Sequence, residues 1–256
     1  VGSGAGSVAR GTSYTLPTPV RQGFVFLGWF DQISGGSKLG DAGQSFTPAQ
    51  SRTLFGRWVQ RSLFGVDEAN LENATEFTAS ATNGIDTTVS HGASNSSARV
   101  EIPAGALPEG TRVKVRYFRD TTRQQSLISN TNTYVLSVLV SWLYGTGTTA
   151  TVPDTNAGKS ITLTLTNNLI KSGAVVYMVV GNEVTELARA TQDGTVTVNI
   201  TEDPEIVVAI VAPGAPTNVV AVAGDAKATI TWNAPNLDGG SPSTSYVVTA
   251  NTGQTC

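Results

Sequence analysis

Apolar residues in this chain recur mostly at every second position, and stripes with a helical period are scarce. Arg112-Val113-Lys114-Val115-Arg116-Tyr117 alternates polar with apolar, the pattern of a strand that wets one face and buries the other. Ser160-Ile161-Thr162-Leu163-Thr164-Leu165-Thr166 repeats it with hydroxyls in the polar places. Segments 98–103, 112–118, 134–142, 160–166, 174–180, 195–200 and 205–211 are rich in β-branched or aromatic residues and are predicted as strands. Gly173, Gly181-Asn182 and Asp193-Gly194 fall between them as turns, and the last two pairs predict tight hairpins. Passable helix formers gather at 67–77, where Glu68, Ala69, Leu71, Glu72 and Ala74 run into Thr and Ser. A strand every ten or so residues, at about that spacing, marks a sandwich or barrel.

Composition divides the chain in three. Residues 1–60 hold two of the four tryptophans and dense Gly and Pro punctuation, and residues 61–211 are rich in Thr and Val. From Ala212 the run Ala-Pro-Gly-Ala-Pro reads as a stiff linker into residues 212–256. The middle block has enough strands to close both faces of a sandwich and is expected to fold alone. Charged residues make up 14% of the chain, against roughly 25% in an average globular protein. With 16 basic and 19 acidic residues and no basic run, a phosphate-tracking surface for nucleic acid is excluded. The longest apolar stretch, 134–143, is far short of the ~18 residues of a membrane helix. The opening Val-Gly-Ser-Gly has no basic n-region of a signal peptide, and both ends read as cut from a longer protein.

Candidate chemistry is sparse. Cys256 is the single cysteine, so neither an internal disulfide nor a cysteine metal cage can form. His91 is the single histidine, set in a Gly/Ser/Asn-rich loop, and is expected to be solvated. One histidine excludes a histidine metal cluster and leaves little room for a Ser-His-Asp or Cys-His mechanism. No Gly-x-Ser-x-Gly elbow, Walker loop or dinucleotide fingerprint occurs in a strand–helix context. The segment Gly2 to Gly11 lacks the Lys and the following helix that phosphate binding needs. Two carboxylate groupings are candidates, since paired acids run glycoside hydrolysis. Glu183 and Glu186 lie three apart on a strand and point to opposite faces. Glu202, Asp203 and Glu205 flank Pro204, where a solvated turn is the favoured reading and a Ca²⁺ site the alternative. Asn73, Asn95 and Asn199 begin glycosylation triplets, which arise readily by chance. No catalytic residue, metal or cofactor follows from the sequence.

Three resemblances sharpen this. Tyr14-Thr15-Leu16-Pro17-Thr18-Pro19, Gly23-Phe24-Val25-Phe26-Leu27-Gly28-Trp29-Phe30, Ser34-Gly35-Gly36 and Thr53-Leu54-Phe55-Gly56-Arg57-Trp58 occur in that order. They resemble the internalin-type B repeat (the Listeria–Bacteroides repeat), a small β-grasp-like module, over residues 1–60, without its first strand. Phe24, Phe26, Trp29, Leu54 and Trp58 are expected to form its aromatic core rather than an exposed platform for sugars. Pro213-Gly214-Ala215-Pro216, Val219, Val222, Ala228-Thr229-Ile230-Thr231-Trp232, Pro235, Gly239-Gly240-Ser241-Pro242 and Tyr246-Val247-Val248 resemble strands A, B and C of a fibronectin type III domain. That resemblance covers only its first half and makes Trp232 a core residue. It also implies that Cys256 finds its partner in the missing half. Ala98 to Thr111 is similar to the Ile-Pro-x-Gly-Ala-Leu segment of ZU-type β-sandwiches, a match that rests mainly on this one stretch.

The expected fold is therefore mainly β: a β-grasp-like repeat, a central β-sandwich, and a truncated fibronectin type III, immunoglobulin-like sandwich. The resemblances imply a non-enzymatic structural or adhesive segment of a multidomain bacterial secreted or cell-surface protein. The alternative is a carbohydrate-binding accessory segment of an extracellular hydrolase. Glycans or another surface protein are the partner classes these readings leave open.

Overall fold

The computed structural model of this chain describes residues 7–92, 94–128, 131–146, 150–225, 227–236, 238–239 and 245–249. Gly2 to Gly6 and Cys256, with the expectations attached to them, lie outside the described residues.

The first block forms β1 (Ser7–Val8), β2 (Tyr14–Thr15), β3 (Phe24–Phe30), β4 (Lys38–Gly40), β5 (Ser45–Phe46), β6 (Arg52–Thr53) and β7 (Phe55–Gln60). Strand β3 is central in a three-stranded sheet between β4 and β7, while β1 pairs with β6 and β2 with β5. Leu16, Trp29 and Leu54 make its small core, packed by Tyr14, Phe26, Leu39 and Phe46. Trp29 donates its indole N–H to the Pro17 carbonyl at 3.0 Å. Phe26 stands edge-on to both Trp29 and Trp58, at 5.5 and 4.9 Å between ring centres, a favoured aromatic geometry. Phe24 departs from expectation. It leaves this cluster, takes the Arg21 guanidinium over its ring at 3.6 Å and packs against the core of the middle block.

Two 3₁₀ turns, Arg61–Leu63 and Glu68–Asn70, lead into the middle block. Its strands are β8 (Thr75–Thr78), β9 (Ile85–His91), β10 (Ser96–Ile102), β11 (Arg112–Tyr117), β12 (Thr133–Leu143), β13 (Ile161–Thr166), β14 (Val175–Val180), β15 (Glu183–Arg189), β16 (Thr195–Ile200) and β17 (Glu205–Ile210), with one helix, α1 (Thr122–Leu127). They build two antiparallel sheets, in the orders β15-β14-β17-β12-β11-β8 and β16-β13-β10-β9. All seven predicted strands form. The helix formers at 67–77 yield a single 3₁₀ turn followed by the edge strand β8, because Thr75 and Thr78 favour an extended chain. The six-residue α1 and the strands β8 and β9 are additional, and β15 is the strand that carries Glu183 and Glu186.

The two sheets share one core. Val113, Val115, Val138, Val140, Trp142, Ile206 and Val208 face Ala98, Val100, Ile161, Leu163, Leu165, Val196 and Val198 across it. Each such side chain contributes about 1.5–3 kcal/mol on burial. Trp142 is 1% exposed and donates its indole N–H to the Pro153 carbonyl at 2.7 Å. Strand β12 is buried on both faces from Val135 to Trp142, which explains its unbroken apolar run. Its outer side is covered by α1 and by Leu63, Val66 and Leu71 of the connecting segment. The outer face of the four-stranded sheet is a hydroxyl ladder instead: Thr162 bonds Asn199 at 2.9 Å and Thr164 bonds Thr197 at 3.1 Å.

Gly181 takes φ +61° at the first position of the two-residue β14–β15 turn, as a tight hairpin requires. Asp193-Gly194 also forms a tight two-residue turn, closed by the antiparallel Gln192–Thr195 bridge with Gly194 at φ +83°, and it lies where the chain passes from β15 in one sheet to β16 in the other.

The last block shows β18 (Thr217–Gly224) and β19 (Lys227–Asn233) as a two-stranded ribbon. Residues 245–249 form no third strand, although Tyr246 rests on Trp232 at 5.3 Å between ring centres. Trp232 is half-buried rather than enclosed, since two strands offer it one side only.

Candidate functional site

A dense polar constellation lies where the first block meets the sandwich. Strand β7 ends at Gln60, and the turn after it presents Arg61 and Ser62 to the loop before β17. Gln60 Nε2 donates to the Trp142 carbonyl at 3.1 Å and to Asp203 Oδ2 at 2.6 Å. Ser62 Oγ donates to the same Asp203 oxygen at 2.6 Å. Arg61 pairs with Glu202 at 2.7 Å, both half-exposed. Beside them Arg123 Nη1 reaches both oxygens of Glu205 at 2.9 Å, and Gln124 Nε2 donates to Glu205 at 2.8 Å. Further along the joint Arg21 donates to the Ala150 carbonyl and Gln22 to Asp154 at 2.7 Å. Gly23, at φ +72°, lies so close to Val152 that a Cβ there would collide with it.

Asp203 is 2% exposed and Glu205 is fully buried. This overturns the solvated turn expected at 202–205. Donors from 60–62 occupy Asp203 Oδ2 and donors from α1 occupy both Glu205 oxygens, and no grouping of three or more metal-ligating residues occurs among the described residues. Burial pushes the Asp203 carboxyl up to about 6, against the pull of the Ser62 and Gln60 bonds, with the Glu202 charge adding to the rise. Burial also raises Glu205, opposed by Gln124 and Arg123. One difference separates the two. Glu205 has a cation, whereas the groups bonded to Asp203 are neutral and its Oδ1 is buried without a partner.

His91 is not the solvated residue that its loop composition suggests. It ends β9 as a part-buried ring stacked on Tyr117 at 4.7 Å. Its Nε2 lies 3.2 Å from Glu72, and its Nδ1 lies 2.6 Å from Ser94 Oγ. A Ser–His–Glu line resembles a nucleophile relay, but the proton placement argues otherwise. Ser94 Oγ donates to Ser96 Oγ at 2.8 Å, so the serine hydroxyl is engaged within its own turn. Asn167, itself buried, ties the same turn down through Ser94 and Ser96. The network closes the β9–β10 turn, where Asn95 sits at φ +49°.

A shallow groove of about 180 Å³ opens next to the joint, lined in part by Arg112, Lys114, Arg116, Gln60 and Ser141. Its cations are engaged already: Lys114 with Glu76, Arg116 with Glu68 and Arg112 with the Gly145 carbonyl. The remaining sequence candidates stay apart. Glu183 and Glu186 face Val180 and Tyr177 on β14, three positions apart, and Glu186 is tied to Arg189. Asn73, Asn95 and Asn199 are all exposed or near-exposed on separate segments. Comparison with family models, curated proteins and solved structures finds no match to this chain.

Proposed function

We propose that this chain is a non-enzymatic structural or adhesive segment of a multidomain bacterial secreted or cell-surface protein. The observation that carries this reading is the joint, where the first block is fastened to the sandwich by buried hydrogen bonds from Gln60 and Ser62 to Asp203. A flexible tether would leave such groups in water; burying and pairing them fixes one mutual placement, because each unpaired buried group costs about 1–3 kcal/mol. A segment built to transmit position or load needs that property. The hydroxyl ladder on the outer sheet and the low charge content suit a surface solvated by hydroxyls and amides. The resemblances of the flanking blocks to surface-protein modules point the same way.

Residual dipolar couplings on the full chain test the reading. Amides of β3 and β7 are expected to share one alignment tensor with those of β12 and β17. Separate tensors would mean independent tumbling and would remove its support. The same protein is expected to show no turnover on glycoside, ester and peptide panels.

A further inference from the structure

We propose that Asp203 is a proton-operated latch: the joint between the first block and the sandwich tightens when this carboxyl takes up a proton and loosens when it ionises. The inference rests on the structural reading above and adds a regulation of the same joint.

The argument is geometric. In the docked arrangement Asp203 is 2% exposed and one oxygen, Oδ2, accepts from Gln60 and Ser62. Both donors belong to the segment that joins the first block to the sandwich, so pulling that segment away readmits water to the carboxylate. The charged groups around it do not neutralise it. On its own loop, Glu202 is acidic and already paired with Arg61 from the adjoining 3₁₀ turn. On β17, Glu205 is acidic and holds Arg123 of α1. Toward β12 the nearest partner of the cluster is the uncharged Trp142 carbonyl. The ionised form therefore sits among neutral donors and two further acids, with Oδ1 bonded to nothing. A buried carboxylate without a cation is the unfavourable protonation state.

Linkage then gives the sign. The docked carboxyl titrates near 6, above the 3.8 of an exposed aspartate. A raised acid binds more protons in the docked state, so its contribution to docking is full below about 4 and is lost as pH rises through about 6. Across that window the ratio of closed to open joint falls by up to roughly 100-fold, two pKa steps of tenfold each.

Hydrogen exchange on the full chain reads this ratio, with amide rates corrected for intrinsic pH dependence. The Gly181 amide, which donates across the joint to the Phe64 carbonyl at 3.1 Å, reports opening there. The Val207 amide, in the sandwich core, reports global unfolding. Between pH 4.5 and 7.5 the opening constant at Gly181 is expected to rise by tens of fold, more than at Val207. Asp203→Asn keeps an acceptor for Gln60 and Ser62 and removes the charge; it is expected to hold the low opening constant at both pH values. Ser62→Ala keeps the charge and is expected to open more at pH 7.5 while still tightening in acid. A wild-type joint that is well protected but indifferent to pH would overturn the latch and leave the structural reading standing. The same holds if Asp203→Asn retains the full pH response, which would assign it to another acid. A joint unprotected at every pH would overturn both.

Discussion

Glu205→Ala is expected to lower the unfolding free energy by about 3–5 kcal/mol, the cost of breaking a buried ion pair from one side. Glu205 is fully buried at the start of β17. Its removal strands the Arg123 guanidinium, which spans from Glu205 to the Gly181 carbonyl. It also strands Gln124, whose Oε1 is already buried without a partner. Urea unfolding followed by circular dichroism checks the value through the midpoint at constant slope. The half-exposed pair of Arg61 with Glu202 supplies the contrast, since Glu202→Ala is expected to cost at most about 1 kcal/mol. Replacing Glu205 and Arg123 together with Leu and Met is expected to be milder than Glu205→Ala alone. If the single substitution costs under about 1 kcal/mol, the pair is not carrying the α1–β17 contact.

Trp142→Ala is expected to cost a comparable 3–5 kcal/mol, about the upper range for emptying an aromatic site in a core. The side chain is 1% exposed between the sheets, and its indole N–H satisfies the Pro153 carbonyl. Trp142→Phe separates the two contributions. It keeps most of the apolar contact and leaves the carbonyl unpaired, so a loss of about 1–3 kcal/mol is expected. Thermal melts with near-ultraviolet circular dichroism read both variants. Equal losses from Ala and Phe would show that the hydrogen bond, not the packing, dominates.

The sheets were legible because their residues obey a local rule. Alternation at 112–117 and 160–166 marks strands with one wet face, and the unbroken run at 134–142 marks one buried on both. Strand β9 escaped because Asp86, Thr87 and Thr88 break its apolar pattern, and its single deeply buried side chain is Val89. Helix α1 escaped because Thr122 to Leu127 ends in one apolar residue and is held by Gln124, a buried polar side chain. The joint was illegible for a deeper reason. Asp203 meets partners 141 and 143 residues away, and no local pattern encodes that distance. One signal was present all the same. Asp203-Pro204-Glu205 leads directly into Ile206-Val207-Val208-Ala209-Ile210, an all-apolar strand whose flanks are carried inside with it. His91 was misread in the same way: its loop composition says solvent, while Tyr117 and Glu72, distant in sequence, supply a stacking face and an acceptor.

The span of that joint has a consequence for how the chain matures. A ribosome or a secretion channel releases residues in order, and domains ordinarily fold as they emerge. Here the first block emerges early, yet the acid that receives Gln60 and Ser62 lies more than 140 positions later. Strands β12 and β14, against which the 61–63 turn rests, also come after it. Until the loop before β17 is in place, Gln60 and Ser62 lack the Asp203 acceptor that fixes them. Assembly therefore runs backward at this point: the earliest segment is seated by the latest strand of the sandwich, and the two halves of the joint stay apart through the whole passage of the middle block.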